Sequence, residues 1–194
     1  MKKIGLTGNM GSGKTTVAKI FEQLGVSVYS SDERAKKLMV ENSAIIKGLT
    51  QLLGDEAYTP DGQLNRTYIS SKIFNSNELL EGVNAIVHPI VFSDFDTWLQ
   101  SHQSEPYILK EAAIMFESDS YKKVDKVIIV TAPDSIRIER CMKRDHASYE
   151  EVSRRMSKQM PQCEKEKLAN YIINNDETEL LIPQVLKLDA LFRA

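Results

Sequence analysis

The chain has 194 residues, and 42% of them are hydrophobic, which is enough for one α/β core with a helical insertion. A formal charge of −2 and a pI of about 6.0 favour neither nucleic acid nor a membrane surface as a partner. The sequence has no apolar run near the ~20 residues of a membrane span, no signal segment, and no metal-ligand spacing around Cys141 and Cys163. We therefore expect a cytoplasmic protein with reduced thiols, as a monomer or small homo-oligomer.

The first functional pattern lies in residues 4–17, which read I-G-L-T-G-N-M-G-S-G-K-T-T-V. They contain G-x-x-x-x-G-K-[ST], the phosphate-binding loop of P-loop nucleotide enzymes. An apolar run at residues 3–7 predicts a strand before the loop. Helical spacing of apolar residues at 15–24 predicts a helix after it. Glycines in this context let backbone N–H groups point at a phosphate, next to the positive end of the helix dipole.

This pattern predicts a binding site for ATP and Mg²⁺. Lys14 is expected to reach the β- and γ-phosphates, and the Thr15 hydroxyl is expected to be a ligand of Mg²⁺. The remaining ATP-binding residues of the loop are Gly11, Ser12, Gly13 and Thr16.

A carboxylate follows the second predicted strand. Gly25 ends the first helix, residues 26–29 are a short strand, and residues 33–40 have helical spacing, so Asp32 lies at a strand-to-helix junction. Carboxyl ends of parallel strands share one edge of a sheet, where ligands bind. Asp32 could accept a proton from an attacking hydroxyl, help to hold Mg²⁺, or cap the next helix.

Residues 41–103 have helical patterns and no good strand. We predict helices at 65–74 and at 77–103, the second broken at His88-Pro89. The block is too long for a plain crossover, which indicates an inserted helical subdomain. Its polar candidates include Arg66, which could also be a solvated charge, and His88, which could also be a structural hydrogen-bonding group.

The second half of the chain supplies three more predicted strands and a last predicted helix. Residues 107–110 form a strand that ends in Glu111, which is either a group near Mg²⁺ or a solvated carboxylate. Residues 125–131 have the apolar centre of a strand buried on both faces. A short strand within 169–175 and a helix at 177–192 close the chain.

A basic region begins after Pro133. Arg137, Arg140 and Arg144 are spaced i, i+3 and i+7, so they share one helical face. Such a face is either exposed to solvent or part of a lid that closes over ATP. The second alternative is possible because phosphoryl transfer requires cations over the migrating group. Asn174 and Asn175, near a strand end, are candidates for adenine contacts.

Together these residues resemble the dephospho-CoA kinase family over nearly the whole chain. The loop is specific only to a large superfamily, whereas the spacing of all the matching elements is specific to this family. The matching elements are residues 4–18 and 24–32, L-N-R at 64–66, H-P at 88–89, I-M-F-E at 114–117, R-x-x-R-C-M-K-R-D at 137–145, R-M-S-K-Q at 155–159 and A-N-Y-I-I-N-N at 169–175.

The resemblance implies an α/β P-loop NTPase fold. It has three layers, a doubly wound parallel sheet of five strands, a helical substrate-binding insertion and a lid. It places the nucleotide-binding core at 1–32, 106–133 and 166–194, the helical CoA-binding insertion at 33–105 and the basic helical lid at 134–165.

The resemblance also implies transfer of the γ-phosphate of ATP to the ribose 3′-hydroxyl of dephospho-CoA, the last step of coenzyme A synthesis. By residue, it assigns catalysis to Asp32, Lys14 and Arg140, ATP binding also to Arg144 and Asn175, and substrate binding to Asp32, Arg66, His88 and Glu117. Two positions depart from the family pattern. Ser30 replaces the first aspartate of D-x-D, and Ala113 replaces a proline.

Three other functions make different demands on the sequence. Another small-molecule kinase of this fold, such as a nucleoside or nucleoside-monophosphate kinase, would need a base-recognition pocket. A GTPase-like switch would need an N-K-x-D motif, but residues 130–134 read V-T-A-P-D. A non-catalytic binding module would not need Lys14, Thr15 and Asp32 together.

Overall fold

The structure is a computed structural model that describes residues 1–74 and 76–194. Its strands are β1 (Lys2–Thr7), β2 (Val28–Ser30), β3 (Tyr107–Glu111), β4 (Lys126–Thr131) and β5 (Tyr171–Asn174). Its α-helices are α1 (Lys14–Gln23), α2 (Ser31–Glu41), α3 (Ser43–Leu53), α4 (Arg66–Phe74), α5 (Asn77–Gln100), α6 (Asp134–Asp145), α7 (Tyr149–Met156), α8 (Gln162–Leu168) and α9 (Leu181–Arg193).

The five strands form one parallel sheet in the order β2-β3-β1-β4-β5. This confirms the predicted α/β fold with five parallel strands. Because all strands run the same way, their carboxyl ends lie at one edge, and β1 brings the glycine-rich loop to the middle of that edge.

The sheet is buried on both faces, as expected for parallel strands. On one face, α1 and α9 pack on alternate strand residues in a core that includes Leu6, Phe21, Leu109, Ile128 and Val185. On the other face, a smaller cluster joins Val127 to the segment after β3, with Met160 packed against it.

The chain divides into two compact units. Residues 1–30 and 102–194 form the first, which contains the sheet, and residues 31–101 form the second. The second unit contains α2 to α5 and an antiparallel bridge between Tyr58 and Leu64. Buried residues of α3 and α5 form its core: Ile45, Leu49, Leu53, Val83, Val87, Val91 and Phe95. Within the part of the chain that the structure describes, no helix combines the length and apolarity of a membrane span.

The predicted break at His88-Pro89 is wrong, because α5 runs unbroken through Pro89. A proline inside a helix removes one hydrogen bond and crowds the preceding turn, at a cost of about 3 kcal/mol. The buried stripe of α5 continues across the proline, with Val83 and Val87 before it and Val91 after it. Burying these side chains favours a continuous helix by more than the proline disfavours it.

The start of the last helix was also predicted wrongly, since α9 begins at Leu181 and not at residue 177. Glu177 has φ 72°, a left-handed conformation that does not continue a helix. The Asp176 carboxylate accepts hydrogen bonds from the Thr178 amide and hydroxyl at 3.0 and 2.8 Å. Such local side-chain bonds compete with helix formation and form a turn instead.

Candidate functional site

The glycine-rich loop joins β1 to α1 and has no room for side chains at two positions. Gly11 has φ 81° and Gly13 has φ 91°. A Cβ at Gly11 would collide with the backbone carbonyl of Arg137, and a Cβ at Gly13 would collide with the Asn175 side chain. Since α1 begins at Lys14, the loop presents the amides of a helix N-terminus, a favourable site for a phosphate.

One set of bonds reaches the loop from α6 and from the turn after β5. The Arg140 guanidinium donates to the Gly11 carbonyl at 3.4 Å and to the Asn175 carbonyl at 3.1 Å. Its charge is paired with Glu177 at 3.1 Å. The Asn175 side-chain amide donates to the Ser12 carbonyl at 2.7 Å. The structure thus brings Arg140, predicted to be catalytic, together with the predicted ATP-binding residues Gly11, Ser12 and Asn175.

A second set of hydrogen bonds reaches the loop from the segment between α7 and α8. The Met10 amide donates to Oε1 of Gln159 at 2.8 Å, and the Asn9 side-chain amide donates to the Met160 carbonyl at 3.0 Å. Sequence reasoning did not single out Asn9 or Met160. Gln159 lies in a family motif, but nothing local indicates that it bonds to the loop.

The predicted lysine is paired with a carboxylate at the sheet edge. The Lys14 ammonium forms an ion pair with Glu111, the last residue of β3. The other Glu111 oxygen accepts a hydrogen bond from the Ser30 hydroxyl at 2.6 Å, where β2 ends. Glu111 is only 6% exposed, so these partners offset the cost of burying its charge.

These groups fit the coordination of Mg²⁺ in nucleotide enzymes. Over the described residues, no cluster of three or more His, Cys, Asp or Glu side chains forms a cage for a metal. Mg²⁺ does not require one, since it takes one or two protein oxygens together with phosphates and water. The Thr15 hydroxyl, exposed in the first turn of α1, and the Glu111 carboxylate are donors of the right type.

The three arginines of α6 do not form one open cationic face. Arg137 is 3% exposed and pairs with Asp134 at 2.5 Å, and its guanidinium lies 3.5 Å from the Met10 carbonyl. Arg144, predicted to bind ATP, donates to Asp145. Of the three, Arg140 is the one whose guanidinium bonds to predicted ATP-site residues.

Glu117, predicted to bind substrate, has protein partners in the first unit. Its Oε1 lies 2.7 Å from the Lys165 ammonium and accepts a hydrogen bond from the Met160 amide at 3.2 Å. Lys165 is fully buried. Sequence reasoning missed it, because nothing local distinguishes it from the neighbouring lysines of a charged helix.

Two predicted residues of the second unit lie at the starts of two helices. Asp32 is in the first turn of α2, and Arg66 begins α4. A hydrogen bond from Lys36 lowers the pKa of Glu33, and the charge of Arg66 adds a smaller effect in the same direction. The charge of Arg66 therefore acts on Glu33, the residue that follows Asp32 in the chain.

His88 and the L-N-R motif have clear local environments. His88 is half-buried and packs on Phe92 with ring centroids 6.2 Å apart, and burial lowers its pKa. Its imidazole is therefore neutral at pH 7. Leu64 forms the bridge to Tyr58, and Asn65 accepts a hydrogen bond from the Tyr68 amide at the start of α4. Arg66 is then the exposed member of the motif.

Replacing Gly11 tests the close approach of α6 to the loop. Gly11→Ala is expected to cost about 2–4 kcal/mol of unfolding free energy, from left-handed strain and from the collision with Arg137. Gly25→Ala is a matched control, because Gly25 has φ 80° and open space around the added methyl group. It is expected to cost only about 1–2 kcal/mol. Equal losses in urea unfolding would contradict the close approach.

Replacing Asp145 tests the ion pairs between α6 and α7. Hydrogen bonds from Arg144 and Arg155 hold the pKa of Asp145 well below its usual range. The stabilisation is therefore fully present above the unfolded-state pKa of about 3.9 and is lost as the pH falls further. Asp145→Asn is expected to destabilise the protein by about 1 kcal/mol at neutral pH.

Urea unfolding from about pH 7 to about pH 2 measures this loss. The difference from the unmodified protein should shrink below about pH 4. Asp61→Asn, in an exposed turn, is the control and should show no such trend. A difference for Asp145→Asn that stays constant with pH would refute the role of these ion pairs.

Comparison with known proteins identifies the family. The model of the dephospho-CoA kinase family matches residues 2–180. A dephospho-CoA kinase from Bacteroides fragilis is 40% identical over 188 residues, which cover 97% of this chain and 91% of the relative. One from Porphyromonas gingivalis is 40% identical over 189 residues, covering 97% and 93%.

Solved structures agree with this match. The crystal structure of TT1252 from Thermus thermophilus superimposes with a TM-score of 0.87 at 31% identity, covering 98% of this chain and 96% of that one. Dephospho-CoA kinase from Campylobacter jejuni gives a TM-score of 0.72 at 24% identity, covering 97% and 95%, which supports the fold. The chain therefore belongs to the dephospho-CoA kinase family, whose activity is the final step of coenzyme A biosynthesis.

Proposed function

We propose that the chain transfers the γ-phosphate of ATP to the ribose 3′-hydroxyl of dephospho-CoA, with Mg²⁺ as cofactor. The observation that carries the proposal is the convergence at the sheet edge, where Lys14 pairs with Glu111 and Glu111 also bonds to Ser30. A lysine, a carboxylate and an exposed threonine beside a phosphate-binding loop are the groups that phosphoryl transfer requires. We propose a cytoplasmic location and a monomer or small homo-oligomer.

On the donor side, the loop amides and Lys14 bind the phosphates of ATP. In the structure Lys14 is paired with Glu111, so binding exchanges this carboxylate for the β- and γ-phosphate oxygens. Thr15 and Glu111 are the residues that would hold Mg²⁺, which neutralises charge on the transferring group. Arg140, already bonded to the Gly11 carbonyl, is the proposed third cation of the site. Arg144 and Asn175 remain proposed ATP contacts.

On the acceptor side, we propose Asp32 as the group that orients the 3′-hydroxyl or accepts its proton. Asp32 follows the last residue of β2 by two positions in the chain. Arg66 is an exposed cation, suited to an anionic group of the acceptor. His88, neutral at pH 7, is a proposed hydrogen-bonding contact. Glu117 differs from these three, because its carboxylate already has two protein donors.

Lys14→Ala tests the donor side. Loss of the ammonium removes charge stabilisation that is strongest in the transition state, so kcat is expected to fall by about 10³-fold or more. Lys19→Ala, at an exposed position on the same helix, should leave kcat unchanged. A near-normal rate for Lys14→Ala would refute the proposed role of the loop.

Asp32→Asn tests the acceptor side. The amide keeps the size of the side chain but does not accept the proton, and kcat is expected to fall by about 10²-fold. Glu41→Gln, at the exposed far end of α2, is the control. If kcat for Asp32→Asn is unchanged, Asp32 has only a structural role.

The reaction is tested directly by ATP-dependent phosphorylation of dephospho-CoA by the purified protein, with adenosine, AMP and cytidine as competing acceptors. Coenzyme A should form only when Mg²⁺ is present and not after chelation, and the other acceptors should be inert. Reaction with a nucleoside or with AMP instead would favour another kinase of this fold. ATP binding without turnover of any acceptor would favour a binding module.

A further inference from the structure

An ion pair between a buried lysine and a partly exposed glutamate lies beside the segment that follows β3. Lys165 of α8 is 0% exposed, and its ammonium lies 2.7 Å from Oε1 of Glu117 and 3.1 Å from the Ala113 carbonyl. Burying an ammonium group costs several kcal/mol, and the attraction within an ion pair often only offsets that cost. Its contribution to stability therefore does not explain the pair.

The pair holds a particular stretch of backbone. The Glu117 oxygen that contacts Lys165 also accepts a hydrogen bond from the Met160 amide at 3.2 Å. Gln159 and Met160 lie between α7 and α8, outside any helix. The Gln159 amide donates to the Met156 carbonyl at the end of α7 at 3.1 Å. The position of Met160 depends on bonds such as the one from its amide to Glu117.

The same two residues hold the glycine-rich loop. The Met160 carbonyl accepts from the Asn9 side chain at 3.0 Å, and Gln159 accepts from the Met10 amide at 2.8 Å. Asn9 is 5% exposed, so its amide group has little water to replace a lost partner. A continuous chain of bonds thus runs from Lys165 through Glu117 and Met160 to the loop.

We propose that Glu117 and Lys165 are positioning residues for the nucleotide loop. They fix residues 159 and 160, which in turn fix residues 9 and 10 and so aim the phosphate-binding amides. The proposal rests on the proposed binding of ATP at that loop. It assigns Glu117 to the donor side of the reaction, whereas the family resemblance assigns it to substrate binding.

The test compares ligand affinities of folded variants. Lys165→Met removes the ammonium and keeps the length of the side chain. The Glu117 side chain, already 23% exposed, can then turn to water. The Kd for ATP, measured by calorimetry with Mg²⁺, is expected to rise about tenfold or more, because small displacements of positioning groups cost that much. The KM for dephospho-CoA should stay within about twofold, as for uncoupled distant sites. Lys167→Met, an exposed position on the same helix, is the matched control.

Two more variants keep the test decisive if Lys165→Met folds poorly. Gln159→Ala removes the acceptor of the Met10 amide without changing the Glu117–Lys165 ion pair. It should also weaken ATP binding. Glu117→Gln keeps an acceptor for the Met160 amide but loses the charge opposite Lys165. Combined with Lys165→Met, it should add little further loss of ATP affinity, because both changes break one chain of bonds.

The outcomes separate the possible explanations. A lower melting temperature with unchanged Kd for ATP, in variants that remain folded, would make the pair purely structural and overturn the proposal. A higher KM for dephospho-CoA with unchanged Kd for ATP would make Glu117 a substrate contact and also overturn it. If the unmodified protein does not bind ATP, the proposed function fails, and the proposal that rests on it fails as well.

Discussion

The shape of the nucleotide loop depends on hydrogen bonds that reach it from the second half of the chain. Each residue from Asn9 to Ser12 bonds to a partner between residues 137 and 175. Glycine-rich backbone loses much conformational entropy when it is fixed in one shape. The loop therefore has its binding conformation only when α6, the 159–160 segment and the turn after β5 are in place. Phosphate binding is in this sense a property of the whole first unit.

The cations of the site are paired with carboxylates. Lys14 pairs with Glu111, Arg140 with Glu177, and Arg144 with Asp145. The pairing is consistent with a chain of net charge −2 that binds a highly anionic nucleotide. When ATP binds, these cations exchange a carboxylate partner for a phosphate. The net gain in binding free energy is therefore smaller than the sum of the new contacts. Such an exchange favours ligands that can engage several cations at once, as a triphosphate does.

The fold and the loop were predictable because their signals are local. Apolar runs, a glycine pattern and helical spacing gave five strands, the strand–loop–helix unit and the end of α1 at Gly25.

The errors arose where another interaction outweighed the local signal. Packing of the buried stripe of α5 overrides Pro89, and an Asp176 turn delays α9. Sequence periodicity placed Arg137 and Arg144 on one face, whereas only packing makes one buried and the other exposed. The contacts of Gln159 and Lys165 join segments far apart in sequence, so no local pattern could reveal them.

The departure at Ser30 is explained by its neighbour across the sheet. Ser30 is in register with Glu111, and its hydroxyl donates to that carboxylate at 2.6 Å. An aspartate at position 30 would place a second carboxylate at this distance. Like charges so close together would raise the pKa of one of them or compete for Lys14. A serine hydroxyl instead donates a hydrogen bond to Glu111 and adds no second negative charge. The single carboxylate of Glu111 can then neutralise Lys14 before ATP binds and contribute to the Mg²⁺ environment afterwards. The serine at position 30, in place of the family's aspartate, is thus compatible with a glutamate at the end of β3.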